Sequence, residues 1–207
     1  MKKECYCKMH YDPSVIIEDC PHVYSVDQDS ILLIESLDIL TGEKVLEVGC
    51  GSGVVSIHCA LAGAEVTAVD INPYAVDCTI GNAELNRVKI DVRLSDIYSA
   101  VDGIFDTIIF NLPYLPVEEE GWLEKAWTGG EDGIEPLRKL LDRAADYLSE
   151  EGSVVVVTSS LMDQCALEAL LSEYNYEILR SLKLFFERLD VVRCWFKTPC
   201  NVDGIKL

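Results

Sequence analysis

Apolar segments long enough for strands alternate with amphipathic segments long enough for helices along most of this 207-residue chain, and this alternation limits the possible folds more than any other feature. The predicted strands are 44–48, 65–69, 89–94, 105–110 and 153–157, and the predicted helices are 27–40, 54–62, 73–85, 137–148 and 162–171. Strands separated by helices run parallel, and the helices cover both faces of the sheet. The sequence therefore predicts an α/β fold with a mostly parallel sheet.

The end of the chain departs from this alternation. Segments 176–184 and 191–196 are both apolar, and the gap between them is too short for a helix. We therefore predict an antiparallel C-terminal hairpin, which gives a seven-stranded sheet. A chain of this length that is 49% hydrophobic can form one well-buried core but is short for two domains. We predict a single domain over 1–207, with a leader over 1–28 and the core over 29–207.

Hydropathy and cysteine usage indicate an intracellular protein. No run approaches the ~20 apolar residues of a membrane span, and residues 1–5 lack the apolar region of a signal peptide. Nine cysteines is an odd number, and most stand alone in apolar segments, namely Cys50, Cys59, Cys78, Cys165 and Cys194. Such cysteines are typical of buried thiols in a reducing compartment rather than of a disulfide framework. We predict a soluble, cytoplasmic protein.

The formal net charge of −19 restricts the possible partners. An acidic surface repels phosphate backbones, and no segment rich in Lys and Arg offsets it. Nucleic acid is therefore an unfavourable partner, whereas a basic protein or a small molecule is compatible. The acidic run 117–120 is either an ordinary solvated face or a surface that attracts a basic loop. Trp122 and Trp127 either shape a substrate groove or anchor their loop to the core.

A Gly-rich turn with glycines at Gly49, Gly51 and Gly53 follows the strand 44–48. Such glycines let the backbone approach a ligand closely and begin a helix without a Cβ clash, although ordinary tight turns contain them too. Asp70 ends the next strand about twenty residues later, where a carboxylate can accept hydrogen bonds from both ribose hydroxyls. The alternative for Asp70 is a helix cap. The spacing is typical of a nucleotide-like cofactor site.

Two further carboxylates favour S-adenosylmethionine over a dinucleotide. Glu47 lies just before the first glycine, where its negative charge would attract a cationic cofactor and repel a pyrophosphate. Asp96 follows the third strand and either accepts from an adenine amino group or is a solvated turn residue. Ile71 and Ile97 adjoin Asp70 and Asp96 and are included in the predicted cofactor site.

The segment Asn111-Leu112-Pro113-Tyr114 closes the strand 105–110 at the carboxyl edge of the sheet, where open α/β folds bind ligands. The Asn111 side-chain oxygen and the Leu112 carbonyl can both accept from one planar NH2 group and orient its nitrogen toward a sulfonium methyl. Pro113 stiffens the turn, and Tyr114 can cover the flat face of the group. Methyl transfer would then depend mainly on positioning. The alternative is an Asn-x-Pro loop that simply ends a strand.

In this order, the motifs resemble those of class I S-adenosylmethionine-dependent N-methyltransferases, which have a Rossmann-like fold. Two further segments resemble HemK-type release-factor glutamine methyltransferases. These are 128–134, with the sequence Thr-Gly-Gly-Glu-Asp-Gly-Ile, and 23–33, which begins Val-Tyr and ends Asp-Ser-Ile-Leu-Leu. Only about forty residues precede the first cofactor motif, which fits the short branch of that family, found in archaea and eukaryotes.

The resemblance implies a protein-(glutamine-N5) methyltransferase whose substrate is the glutamine of the Gly-Gly-Gln loop in a class I translation release factor. It also implies S-adenosylmethionine as donor and, as heterodimer partner, a small zinc-binding activator subunit that covers an exposed sheet edge. The predicted catalytic residues are Asn111, Leu112, Pro113 and Tyr114. The predicted cofactor-binding residues are Tyr24, Asp29, Glu47, Gly49, Gly51, Asp70, Ile71, Asp96, Ile97 and Asn111.

The chain departs from the family pattern at two places. Residues 26–29 read Val-Asp-Gln-Asp where the family often has Pro-Ala-Glu-Asp, and Leu112 replaces a commoner proline. Asn-Leu-Pro-Tyr also occurs in ribosomal RNA adenine dimethyltransferases, and adenine presents the same planar NH2 group as glutamine. The alternatives are therefore a nucleic-acid adenine N6-methyltransferase, a non-catalytic cofactor-binding subunit, and a methyltransferase of another protein or a small molecule.

Cysteines and histidines near the N-terminus form a candidate zinc-ligand set, consisting of Cys5, Cys7, His10, Cys20 and His22. Zinc sites usually contain two cysteines separated by two residues. The spacings here leave one residue between ligands, and in an extended chain such ligands point apart. We predict no metal site.

Overall fold

The computed structural model describes residues 7–115, 129–130 and 132–197, excluding the side chain of Cys7. The strands are β1 (Cys7–Lys8), β2 (Asp38–Ile39), β3 (Lys44–Val48), β4 (Glu65–Asp70), β5 (Asp91–Leu94), β6 (Phe105–Phe110), β7 (Leu148–Ser159), β8 (Asn175–Lys183) and β9 (Arg188–Trp195). The helices are α1 (Gln28–Ile34), α2 (Val54–Leu61), α3 (Pro73–Leu85), α4 (Glu135–Ala144) and α5 (Gln164–Leu171). The acidic run 117–120, Trp122 and Trp127 lie outside the described residues.

Seven of these strands form one sheet in the order β5-β4-β3-β6-β7-β9-β8. The strands from β5 to β7 in this order are parallel, whereas β9 is antiparallel to both β7 and β8. The short strands β1 and β2 pair separately. The predicted parallel sheet with a C-terminal antiparallel hairpin is therefore confirmed.

Residues at alternate positions of the central strands face two hydrophobic clusters, one on each side of the sheet. Ile108 of β6 packs in the cluster that contains α4 and α5, and the next residue, Ile109, packs in the cluster that contains α1 and α2. Val154 and Val155 of β7 divide between the clusters in the same way. Strands that are buried on both faces are typical of a parallel sheet covered by helices.

Helix caps explain why some boundaries were readable from the sequence. The Asn72 side chain accepts from Tyr74 N, and Pro73 occupies the first turn of α3, where its missing N–H breaks no helical bond. The observed bounds of α3 match the prediction. Asp163 caps α5 in a similar way, because its side chain accepts from Ala166 N at 3.0 Å.

Two predicted helices were too long. The helix predicted at 27–40 ends at Ile34, because the Ser36 hydroxyl bonds the Leu32 carbonyl and the chain then turns to pair β2 with β1. The helix predicted at 137–148 ends at Ala144, and Leu148 already belongs to β7, opposite Phe105. In both places pairing with a distant strand overrides a local helical pattern.

The cysteines differ in part from the prediction. Cys50, Cys59 and Cys194 are buried free thiols, as predicted, but Cys165 is exposed because it lies on the outer face of α5. Cys78 is not a free thiol, since it forms a disulfide with Cys20. That bond removes Cys20 from the candidate zinc set. Within the described residues, no group of three or more His, Cys, Asp or Glu side chains is arranged to hold a metal ion.

No helix in the described part of the chain has both the length and the apolar character that crossing a membrane requires.

Candidate functional site

A cavity of about 480 Å³ opens at the carboxyl edge of the sheet, around the ends of β3, β4 and β6. Every residue predicted for the cofactor or the chemistry lines it: Tyr24, Asp29, Glu47, Gly49, Gly51, Asp70, Ile71, Asp96, Ile97, Asn111, Leu112, Pro113 and Tyr114. This volume lies within the range of about 300–1,000 Å³ that is usual for small-molecule sites. The sheet thus brings residues from five separate sequence segments to one pocket.

The Gly-rich turn forms the floor of the cavity between β3 and α2. Gly49 has φ +68° and Gly53 has φ +80°, a left-handed conformation that side chains other than Gly rarely adopt. A Cβ on Gly53 would lie 2.8 Å from Thr79 Cγ2, so packing also excludes a larger residue there. Thr79 Oγ1 in turn donates to the Gly51 carbonyl at 3.0 Å. The turn is therefore held in one shape by α3.

Glu47 is a buried carboxyl group beneath this turn. Its Oε2 accepts from Ser56 N at 2.9 Å and from the Ser56 hydroxyl. Burial raises the pKa of Glu47 to about 8, although the bonds from Ser56 act in the opposite direction. A cation entering the cavity would favour the ionised form of Glu47. Because a buried carboxylate is costly to leave unpaired, Glu47 provides a site for positive charge.

Asp70 is fixed at the cavity wall by backbone donors. Its Oδ2 accepts from Gly51 N at 3.0 Å, and its Oδ1 accepts from Asn72 N at 2.8 Å. Burial raises its pKa, and the backbone hydrogen bonds oppose that rise. Each carboxylate oxygen has a second lone pair, so the group can accept from ligand hydroxyls as well.

The turn after β5 carries Asp96 and Ile97. Asp96 is exposed, and its backbone N–H donates to Ser99 Oγ at 2.9 Å. Ile97 has φ +49°, which is strained for a β-branched residue. Strain of this kind concentrates at ligand sites, where the surrounding structure holds it in place. Here it turns the chain so that both residues line the cavity.

Asn111 has one satisfied and one unsatisfied polar atom. Its Nδ2 donates to Ser30 Oγ at 3.4 Å. Asp29 Oδ1 in turn accepts from the Ser30 hydroxyl at 3.2 Å and from the Ser30 backbone N–H at 2.6 Å. Asn111 Oδ1 is buried and, among the residues that the structure describes, has no hydrogen-bond partner. A buried acceptor without a partner is costly, so this oxygen is suited to accept from a ligand N–H group.

Tyr114 stands beside this oxygen with a half-buried ring. Burial, followed by the carboxylate of Glu187, raises the pKa of Tyr114, so its phenol stays neutral. The backbone of this turn packs against two glycines. The Tyr114 carbonyl oxygen would lie 2.6 Å from a Cβ placed on Gly133, and the Leu115 carbonyl oxygen accepts from Gly129 N at 2.8 Å. The described glycines of segment 128–134 therefore support the backbone of the Asn-Leu-Pro-Tyr turn. Thr128 and Glu131 of that segment lie outside the described residues.

The predicted leader contributes more to the site than the sequence indicated. Val23, Tyr24 and Ser25 line the cavity. The His22 carbonyl accepts from Asn72 Nδ2 at 2.8 Å, and the disulfide from Cys20 to Cys78 joins the same segment to α3. The leader is thus attached along the helix that follows Asp70.

Sequence reasoning also missed polar residues that act through the predicted ones. Ser30 accepts a hydrogen bond from Asn111, Ser56 donates to Glu47, and the carboxylate of Glu187 on the C-terminal hairpin helps to raise the pKa of Tyr114. Lys139 of α4 lines the cavity as a basic residue. The serines follow acidic or apolar positions without a motif of their own, so only the fold reveals their partners.

Comparison with known proteins identifies the family. The model of the methyltransferase small domain matches residues 15–179. A Methanocaldococcus jannaschii protein, provisionally named protein N5-glutamine methyltransferase, is 41% identical over 182 residues, which cover 84% of this chain and 92% of that protein. The chain belongs to the methyltransferase small domain family. Within it, the chain is a relative of the HemK-type glutamine methyltransferases and a methyltransferase enzyme. Its Rossmann-like sheet is shared with methyltransferases of known structure.

Solved structures with low sequence identity show the same fold. The Encephalitozoon cuniculi (E. cuniculi) Mtq2-Trm112 complex, described as methylating the eRF1 translation termination factor, matches with a TM-score of 0.69 and 19% identity, over 85% of this chain and 99% of that chain. The Thermus thermophilus (T. thermophilus) 16S rRNA N2 G1207 methyltransferase, solved with AdoMet and guanosine, matches with a TM-score of 0.66 and 23% identity, over 84% of this chain and 44% of that chain.

Proposed function

We propose that this methyltransferase transfers a methyl group from S-adenosylmethionine to the side-chain amide of the glutamine in the Gly-Gly-Gln loop of a class I translation termination factor. The observation that carries the proposal is the buried, unpartnered Oδ1 of Asn111 at the cavity wall. Among the described residues this atom lacks a hydrogen-bond donor, and the NH2 group of a primary amide can supply one.

The cavity fits S-adenosylmethionine as donor. Asp70 is suited to accept from the ribose hydroxyls, Asp96 to accept from the adenine amino group, and Glu47 to attract the positive charge of the donor. Because Gly49 and Gly51 have no side chains, the donor can approach the backbone of the turn closely. Tyr24 and Asp29 line the same cavity and would close over the donor. When bound, the donor supplies an electrophilic methyl group on a sulfonium ion. A dinucleotide pyrophosphate would instead keep the Glu47 carboxyl protonated and would gain no charge attraction from it.

Residues of the Asn111 turn would orient the acceptor nitrogen. Asn111 Oδ1 and the Leu112 carbonyl each accept from one hydrogen of the NH2 group, which draws the lone pair of the nitrogen toward the donor. Tyr114 packs on the flat amide and excludes water. An amide nitrogen becomes acidic only as the methyl group arrives, so no strong base is needed beforehand and positioning accounts for most of the rate enhancement. The donor would be left as a neutral thioether, and the methylated nitrogen would release one proton to solvent.

A protein is favoured as acceptor over nucleic acid. The chain carries a net charge of −19, and carboxyl groups of Asp29, Glu47, Asp70 and Asp96 line the cavity. A phosphate backbone would be repelled there, whereas the loop of a protein would not. The name of the M. jannaschii relative and the description of the E. cuniculi complex support the same acceptor class. A termination factor acts in the cytoplasm, so we propose that compartment for the enzyme.

We also propose a small zinc-binding activator subunit as a partner. Strand β5 is an edge strand that pairs only with β4 in the described sheet, and its Leu94 is 56% exposed. An open edge with an exposed leucine is suited to strand addition by another chain. The Mtq2-Trm112 complex among the solved structures of this fold is consistent with such a partner.

A direct test uses labelled S-adenosylmethionine with a purified termination factor, the same factor with its Gly-Gly-Gln glutamine changed to alanine, DNA and RNA, side by side. We expect label only in the unchanged factor, with mass spectrometry locating one methyl group on that glutamine. Label in adenine of DNA or RNA would instead support the adenine N6-methyltransferase alternative.

Calorimetry with Asp70→Ala tests the donor site, and we expect binding weaker by ~1–3 kcal/mol, the usual cost of unpaired hydroxyls.

A further inference from the structure

Two phenylalanines at the tip of the C-terminal hairpin are almost fully exposed. Phe185 is 92% exposed and Phe186 is 86% exposed, between β8 and β9, and their rings contact each other edge to face with centroids 4.6 Å apart. Single exposed apolar residues are common on protein surfaces, but paired aromatic rings with this exposure mark interaction sites.

The hairpin tip holds these rings in a fixed position. Leu184 N donates to Glu187 O at 2.8 Å and closes the turn. The Glu187 side chain accepts from Ser159 Oγ at 2.7 Å, and Arg188 N donates to Ser160 Oγ at 2.9 Å. These bonds join the tip to the end of β7. The rings are therefore presented to solvent by an ordered turn, which lowers the entropic cost of binding a partner.

The tip stands beside the mouth of the cavity. Ser159, the last residue of β7, pairs with Leu189 of β9, so the tip lies at the same carboxyl edge as Asn111. The Glu187 carboxylate at its base adds to the effect of burial in raising the pKa of Tyr114, which lines the cavity. Leu161, in the turn that follows β7, is 41% exposed and extends the apolar surface along this edge. We call Leu161, Phe185 and Phe186 the apolar rim.

We propose that the apolar rim binds a hydrophobic surface of the acceptor protein next to the loop that carries the methylated glutamine. This proposal rests on the proposed function, because a glutamine that enters the cavity brings the body of its protein against the rim. The rim lies outside the cavity residues, so it would add affinity for the whole protein without touching the reacting atoms. The net charge of −19 disfavours nucleic acid and anionic lipid as alternative occupants.

The test compares the double variant Phe185→Ser/Phe186→Ser with the unchanged enzyme on two acceptors, the whole termination factor and a short peptide that contains its Gly-Gly-Gln loop. We expect KM for the whole factor to rise about tenfold or more, because apolar burial of two rings is lost. We expect kcat, donor affinity and KM for the peptide to stay unchanged. The single variant Phe185→Ser should give an intermediate KM and guards against a folding defect in the double variant.

Ile178→Ser is the matched control, because Ile178 is 54% exposed on β8 but lies away from the tip. It should leave both KM values unchanged. An unchanged KM for the whole factor in the double variant, or an equal loss on factor and peptide, would overturn the rim proposal alone. So would sedimentation showing that the rim joins two copies of the enzyme. If the unchanged enzyme methylates neither acceptor, the proposed function fails, and the rim proposal fails with it.

Discussion

Ser30 Oγ accepts from Asn111 Nδ2 at 3.4 Å, and this bond determines which end of the Asn111 amide faces the cavity. The nitrogen is held on the side of Asp29 and Ser30, so the unpartnered Oδ1 is left for the acceptor. The two residues are 81 positions apart in the chain. The helix α1 is therefore a positioning element for the chemistry at the end of β6.

Ser30→Ala should lower kcat by about fivefold to tenfold, the equivalent of one neutral hydrogen bond of about 1 kcal/mol. Without the bond the Asn111 side-chain amide can flip, and its NH2 group then faces the NH2 group of the substrate glutamine, where neither can accept. Donor affinity should stay the same, which separates this effect from damage to the cofactor site. Single-turnover methylation and calorimetry measure the two quantities. Ser30→Thr keeps the hydroxyl and should restore kcat, and an unchanged kcat in Ser30→Ala would remove this role from Ser30.

Gly133→Ala should impair methyl transfer, because its Cβ would meet the Tyr114 carbonyl at 2.6 Å and displace the catalytic turn. Gly133 also has φ +74°, so alanine costs stability for conformational reasons alone. Gly103→Ala is the matched control, since Gly103 has φ +104° but nothing within 4 Å of its Cβ. We expect both variants to lose about 1 kcal/mol or more of unfolding free energy, and only Gly133→Ala to lose activity. Equal activity in the two variants would contradict the support role.

The raised pKa of Glu47 predicts a pH-dependent stability. Burial moves this pKa from 4.5 to about 8. Between these values the folded state keeps a proton that the unfolded state has lost, so the unfolding free energy falls as pH rises from about 4.5 through about 8. Asp29 and Asp70 have raised pKa values and act in the same direction.

Glu47→Gln isolates the contribution of that residue, because the glutamine oxygen can still accept from Ser56. Urea unfolding at pH 5, 6, 7 and 8 should show a steeper decline for the unchanged enzyme than for the variant, by up to a few kcal/mol over the range, since one pKa unit corresponds to about 1.4 kcal/mol. Parallel pH profiles for the two proteins would show that Glu47 does not hold its proton in the folded state.

The disulfide between Cys20 and Cys78 should stabilise the oxidised enzyme. It closes a loop with a sequence separation of 58, for which chain entropy predicts an effect of about 4 kcal/mol. Reduction or Cys20→Ser should lower the unfolding free energy and weaken donor binding, because the leader that carries Tyr24 loses its covalent attachment to α3 and keeps only hydrogen bonds to that region. Cys165→Ser, at an exposed free thiol, should change neither. Alkylation of both Cys20 and Cys78 in the enzyme without reductant would show that the bond does not form.

The fold was largely readable from the sequence, because apolar strands, Gly turns and caps are local signals. The bounds of α3 follow from Asn72 and Pro73, and β6 is indicated by the apolar run Ile108-Ile109-Phe110 at its end. The errors at 35–40 and 145–148 have one cause, since pairing of β2 with β1 and of Leu148 with Phe105 depends on residues far away in the chain.

The candidate site was only partly predictable. Residues in motifs, such as Glu47 and Asn111, were found because their positions relative to the strand ends are fixed. Ser30 and Glu187 were missed, because the hydrogen bond from Asn111 to Ser30 and the effect of the Glu187 charge on the Tyr114 pKa arise from packing between distant segments. The pairing of Cys20 with Cys78 was missed for the same reason, since neither spacing nor composition indicates it.

Asn111 was predicted in both the catalytic and the cofactor-binding sets, and in this mechanism its Oδ1 orients the acceptor nitrogen and contributes little to donor affinity. Methyl transfer to the termination factor by Asn111→Ala, measured in a single turnover beside calorimetric donor binding, tests it most directly. We expect the transfer rate to fall about a hundredfold or more, as for other lost positioning groups, while the donor Kd stays within about twofold. An Asn111→Ala enzyme that transfers methyl groups at nearly the original rate would contradict the account.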